Sequence, residues 1–71
     1  MISEEELDQY RLSGELVRAV RDGMEANDVI GIVVAWDDET VVLRKASRRV
    51  IKLSRSYRYE LASSERSAFE V

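Results

Sequence analysis

The segment Val29–Trp36, VIGIVVAW, is the longest apolar run in this chain of 71 residues, and it limits what the rest can fold into. It is too short to cross a bilayer, which takes about 20 residues as a helix. Its valines and isoleucines are β-branched, and apolar side chains fall on both alternating faces, as in a strand covered on both sides. The run is therefore expected at the centre of a sheet. A domain this small buries only about 60% of its unfolded surface, and small domains commonly add disulfides, a metal or oligomerisation. The chain has no cysteine and no histidine, which removes disulfides and the usual zinc ligands. Self-association is the device left, and a homo-oligomer is expected.

Ahead of this run, Ser3-Glu4-Glu5-Glu6 has the form of a capping box, in which a serine hydroxyl and a glutamate three residues on satisfy free amides at a helix start. The three acids also complement the helix dipole. Leu7, Tyr10, Leu16 or Val17, Val20 and Met24 recur at spacings of three and four, which predicts a helix to about residue 25. Gly14 interrupts it at a cost of roughly 1 kcal/mol relative to alanine, so a bend or break at Ser13-Gly14 is the alternative. Asn27 and Asp28 provide a stop. After the central run, Asp37-Asp38-Glu39 makes a polar turn and Thr40–Lys45 a second strand. Ala46-Ser47-Arg48 makes a tight connection to a third strand, Arg49–Ser54, and Tyr57–Leu61 a short fourth. No proline interrupts the ladders. The polar tail 62–71 frays unless Phe69 docks. The acidic start, MISEEELDQY, lacks the basic-then-apolar layout of a secretory signal, and a soluble cytoplasmic protein with no membrane contact is the simplest expectation.

Charge is divided along the chain. Residues 1–40 carry eleven acids and three bases, whereas residues 41–71 carry eight bases and three acids. Arg44, Lys45, Arg48, Arg49, Lys52, Arg55 and Arg58 fall in the stretch 41–58 without a single acid. Charge runs are often only solvated surface. The functional reading is an anion-binding surface in which alternation puts Arg44 on one face and Lys45 on the other, so that charge wraps an edge and tracks a phosphate backbone. Tyr57 and Tyr59, on one strand face among Arg55 and Arg58, are placed to stack on unpaired bases. The alternative is that both rings pack on the helix with their hydroxyls at the surface. Trp36 reads as core.

The segment Ile30–Leu43, IGIVVAWDDETVVL, resembles the central part of the Sm-like (Hfq-like) small β-barrel family in the order of Gly31, an apolar strand, Trp36, Asp37, Thr40, Val41 and Leu43. Ile51–Tyr57, IKLSRSY, is similar to that family's final strand, with Lys52 at the place of its lysine. The resemblance covers residues 30–57. It implies a bent antiparallel sheet, a ring joined through strand edges, and RNA binding at the ring. The family's first strand ends in an Asp-Gly turn, and here Asp22-Gly23 lies farther from Gly31 than is usual. Either the helix absorbs that strand or the turn is enlarged. The family's histidine beside the final-strand lysine is absent.

No catalytic signature is present. Asp37, Asp38 and Glu39 lack the spacing of a calcium loop and read as a solvated turn, no S-x-x-K pair or glycine-rich phosphate loop occurs, and no cofactor or metal is expected. The sequence thus predicts a single α+β domain: an acidic N-terminal helix (1–26), then a strongly bent antiparallel sheet of three to five strands (29–61), an SH3-like or Sm-like small barrel. The function expected is non-catalytic binding of single-stranded nucleic acid, RNA in the first instance. Its site would be Arg44, Lys45, Arg48, Arg49, Lys52, Arg55 and Arg58 with Tyr57 and Tyr59. The alternative is a self-assembling interaction or regulatory module that binds an acidic protein partner through the same hairpin. A net charge of −3 favours the second reading, because nucleic-acid binders tend to be basic.

Overall fold

Helix α1 (Glu4–Ser13) begins at the expected Ser3 cap, with the serine half of the capping box formed and Glu6 bonded to the serine hydroxyl rather than to an amide. The Glu6 amide donates to Ser3 Oγ at 3.1 Å, and the Ser3 hydroxyl donates to Glu6 Oε1 at 3.3 Å. The helix does not run to residue 25. It stops at Gly14, which sits in the left-handed region at φ 66° and donates its amide to the Tyr10 carbonyl, the usual glycine C-terminal cap. Beyond it the chain is extended and pairs with two neighbouring strands. Val17 and Ala19 are buried, Arg18 points away, and Met24, which a helical stripe would cover, is 64% exposed. This segment is a strand, β1 (Val17–Val20), whose true period of two is masked by the spacing of its larger residues.

The computed structural model describes residues 1–67. After β1 come a 3-10 turn (Glu25–Asn27), β2 (Val29–Trp36), β3 (Thr40–Arg44), β4 (Val50–Ser54) and β5 (Arg58–Leu61). Of the two possibilities for Asp22-Gly23, the enlarged connection is the one formed. The five strands make one antiparallel sheet in the order β4-β3-β2-β1-β5. The central place of Val29–Trp36 is as expected. The sheet stays open: β4 and β5 pair with β3 and β1 and remain its two edges, so the expected barrel does not close.

Strand β2 is shared between two halves. Val29, Ile30 and Gly31 pair with β1, whereas Ile32, Val33, Ala35 and Trp36 pair with β3, with a bulge at Val34. The change of partner falls at Gly31, where a Cβ would lie 2.7 Å from the Arg44 carbonyl oxygen and 3.2 Å from Leu43 Cβ. Only glycine allows that approach. One face of the sheet carries Val17, Ala19, Val33, Val41, Leu43, Leu53 and Tyr59, and α1 closes over it with Ile2 and Leu7. Each such buried aliphatic side chain contributes about 1.5–3 kcal/mol.

Residues 62–67 are tied down, where fraying was expected. Arg18 donates to the carbonyls of Ala62 and Ser64 and to Glu60, and Arg66 donates to Asp28 and to the Asp22 carbonyl. Phe69 lies outside the described residues. No helix among the described residues is long and apolar enough to cross a membrane.

Gly31→Ala forces the Arg44 backbone to move and is expected to lower stability by about 1–3 kcal/mol, read as a reduced urea midpoint at unchanged slope. Gly23→Ala, at a position where a Cβ meets nothing within 4 Å, is the control and leaves the midpoint within about 0.5 kcal/mol.

Candidate nucleic-acid interface

The basic residues are presented by the β3–β4 hairpin. Arg44 pairs with Val50, and the chain reverses through Ala46-Ser47-Arg48. The Arg48 amide donates to the Lys45 carbonyl and the Lys45 amide to the Arg49 carbonyl, both at 2.8 Å. This is the three-residue loop in which a turn is followed by one left-handed residue. That residue is Arg48, at φ 70°, the only non-glycine in the described residues with positive φ. Glycine or asparagine is the ordinary choice there, and a side chain costs about 1 kcal/mol.

Five of the predicted residues come together on this hairpin. Arg44, Lys45, Arg48, Arg49 and Lys52 are all exposed, and none is in an ion pair among the described residues. No acid interrupts the chain from Thr40 to Tyr59. Lys45, Arg48 and Arg49 occupy the tip. Arg44 and Lys52 stand on the outer face of the sheet, Arg44 in register with Ile32 and Val50, and Lys52 with Val42.

Arg55 belongs elsewhere. It is 5% exposed, with Nε donating to the Ile2 carbonyl at 3.2 Å and Nη1 to Glu4 Oε1 at 3.3 Å and the Asp37 carbonyl at 2.9 Å. Trp36 Nε1 donates to the other Glu4 oxygen at 2.8 Å. The Trp36 indole bond, aided by Arg55, holds the Glu4 carboxyl below its ordinary pKa. Arg55 thus fastens the start of α1 to the β2–β3 turn, and its burial takes it away from the exposed basic surface. Asp37 caps that same turn, accepting at Oδ1 from the Glu39 and Thr40 amides and the Thr40 hydroxyl, which lowers its pKa.

The tyrosines divide. Tyr59 is buried in the core and its hydroxyl donates to the Ser54 carbonyl at 2.7 Å. Burial pushes its pKa up to about 12. Tyr57 is half-buried, and the Arg21 guanidinium lies over its ring, 5.7 Å from the centroid. Arg21 was hidden from sequence reasoning by its assignment to the helix; the strand that carries the chain to it brings it beside Tyr57. Arg21, Tyr57 and Arg58 line a cleft of about 470 Å³ with Ile2, Glu6 and Val20. A base entering this cleft meets the plane of Arg21 rather than an open tyrosine face. The cleft adjoins the start of β5, beyond the end of β4 that is remote from the hairpin tip. Arg58 is therefore separate from the cluster at 44–52.

Comparison with known protein families, with curated proteins and with solved structures returned no match.

Two outcomes follow from these placements. Arg55→Leu strands two carbonyls and frees the N-terminus, and lowers stability by about 2–4 kcal/mol, whereas Arg49→Leu stays within about 0.5 kcal/mol; urea unfolding distinguishes them. Tyr59 stays protonated in the folded state above the ordinary tyrosine value of about 10, up to about 12. The unfolded chain therefore releases this proton first as pH rises, so the contribution of Tyr59 is complete below pH 10 and is lost towards pH 12. A tyrosinate absorbance titration should show a late-ionising component near pH 12 that is absent in Tyr59→Phe.

Proposed function

We propose that this chain is a non-catalytic, cytoplasmic nucleic-acid-binding protein that holds single-stranded RNA by its phosphate backbone at the tip and flank of the β3–β4 hairpin. The observation that carries this reading is the set Arg44, Lys45, Arg48, Arg49 and Lys52, exposed together with no acid in the hairpin they share. Lys45, Arg48 and Arg49 engage phosphate at the tip, and Arg44 and Lys52 extend the contact along the strand. The left-handed Arg48 supports the assignment, because a strained position occupied by a charged residue where glycine would be more stable suggests that the side chain is retained for what it does. The second cluster, Arg21, Tyr57 and Arg58, offers a stacking plane and cations to a base farther along the strand. The Sm-like resemblance is consistent with a helix ahead of a bent sheet with two free edges, through which copies of this chain would join as a ring.

The second reading is a self-assembling interaction module. It is favoured by the net charge of −3 and by exposed apolar side chains on the outer face of the sheet.

Anisotropy of a labelled single-stranded RNA oligonucleotide tests the first. Contact through about four phosphates gives a log-log salt slope near −3. Arg48→Glu/Arg49→Glu should abolish binding at unchanged circular dichroism. Arg48→Gly separates strain from function: it should raise stability by about 1 kcal/mol and weaken RNA binding several-fold. Absence of binding by the wild-type protein at low salt overturns the proposal.

A further inference from the structure

The outer face of β2, β3 and β4 departs from what an open antiparallel sheet should show to water. Such a face is normally polar. Here Ile30 is 43%, Val34 36% and Val50 61% exposed, and Ile32 and Val42 are only partly covered. The register sets these residues in two cross-strand rows. Ile32, Arg44 and Val50 form one, and Ala35, Val42 and Lys52 the other, with Val34 bulged beside them. The patch is apolar with two cations and no acid. Valine and isoleucine offer no ring for a base to stack on, so the apolar part calls for a protein surface. Face-to-face pairing of two such patches would bring Arg44 and Lys52 against their own copies, a like-charge arrangement.

The same chain carries a surface of complementary character. On α1, Glu5, Asp8, Gln9 and Leu12 lie along one face, at spacings of three and four, away from the buried Leu7. Leu12 is 66% exposed, and Leu16, just past the helix cap, is 48% exposed beside Glu15. Glu15 and Leu16 border a shallow depression of about 380 Å³ with Ala62 and Ser63. Asp8 is held by Arg11 at 2.8 Å, so Glu5 and Glu15 carry the acidic character of this surface, which is apolar and acidic where the sheet face is apolar and basic.

We propose that the outer face of β2–β4 docks on the exposed face of α1 and the adjoining Glu15-Leu16 of a second copy, Val34, Val42 and Val50 against Leu12 and Leu16, with Arg44 and Lys52 opposite Glu5 and Glu15. The contact joins two different surfaces, so each copy keeps one of each unfilled and the association propagates or closes into a ring. It uses the sheet face and not the strand edges. It sharpens the second reading above, and it does not depend on RNA binding at the tip.

Sedimentation velocity of the full chain, from about 10 μM to about 1 mM, reads the association directly. Wild-type protein is expected to rise above monomer mass with concentration, and less so as salt screens the charged contacts. Val50→Asp/Lys52→Glu breaks the sheet face, and Leu12→Lys/Glu15→Lys breaks the helix face. All four sites are exposed, and circular dichroism verifies the fold. Each variant alone should remain monomeric, while their equimolar mixture forms a 1:1 dimer, because one intact surface survives on each. Wild-type protein that stays monomeric, association untouched by both variants, or variants that do not complement each other overturns the proposal. A monomer whose Val34, Val42 and Val50 amide signals move on adding RNA or an acidic peptide also overturns it, and assigns the face to that ligand. Leu12→Lys/Glu15→Lys leaves all five hairpin cations intact, so RNA binding by that variant tests the RNA reading separately, whereas Lys52→Glu also removes a phosphate contact.

Discussion

At Gly31 the backbone of β3 passes so near that no side chain fits, and the arrangement of every other element depends on that contact. Because β2 gives three residues to β1 and the remainder to β3, a flat ribbon would leave its two halves as separate hairpins. The close approach at Gly31 lets both halves run on as one five-stranded sheet, with an inner face under α1 and an outer face. Leu7 of α1 is fully buried against the inner face, in a core too small to form without it. Arg44 is at once the residue whose carbonyl crowds Gly31 and the first cation of the hairpin. The same contact therefore anchors the end of β3 from which the basic tip projects.

Two arginines in one hairpin and its exit show how context decides the use of a charge. Arg55 follows β4 directly and turns beneath the start of α1, where two carbonyls and Glu4 receive it. A buried guanidinium held through Nε and Nη1 by fixed partners is a structural fastener. Arg48 has the opposite situation, with its backbone held in an unfavourable region and its side chain in solvent. Nothing in the fold is gained from an arginine at that position. The two are seven residues apart in sequence and equivalent in composition, and only the three-dimensional neighbours distinguish them.

The β-branched run at 29–36, the acidic turn, the hairpin loop at 46–48 and the two later strands were legible because each depends on local signals: alternation, turn chemistry and branching at Cβ. The capping box was legible for the same reason. β1 was not, because Val17, Val20 and Met24 also fit a helical spacing, and the decisive fact is the left-handed Gly14, which sequence alone offers only as an alternative. The burial of Arg55 and Tyr59 was equally hidden. Both lie in a stretch that reads as uniformly basic and polar, and each is taken inward by a long-range partner, Ile2 and Asp37 for the arginine and the inner sheet face for the tyrosine. The open outer face of β2 is the reverse case: alternation predicts cover on both sides, and a single copy supplies only one.

An acidic protein with a cationic hairpin poses a question of distance. Strand β3 has the Asp37-Asp38-Glu39 turn at one end and the Lys45–Arg49 tip at the other, and its five residues separate them. At 3.3–3.4 Å per residue that is roughly 17 Å, about twice the screening length of about 8 Å at physiological salt. At that ionic strength the tip presents its own charge to a polyanion and the acidic end is not felt. At about 0.01 M salt the screening length reaches about 30 Å, longer than β3, and the acidic end then offsets part of the affinity the tip gains as salt is lowered. A net charge of −3 is thus a poor guide to either surface. The same separation gives the molecule a direction, so that one end is repelled by what the other attracts, whether the partner is a phosphate backbone or the acidic face of another copy.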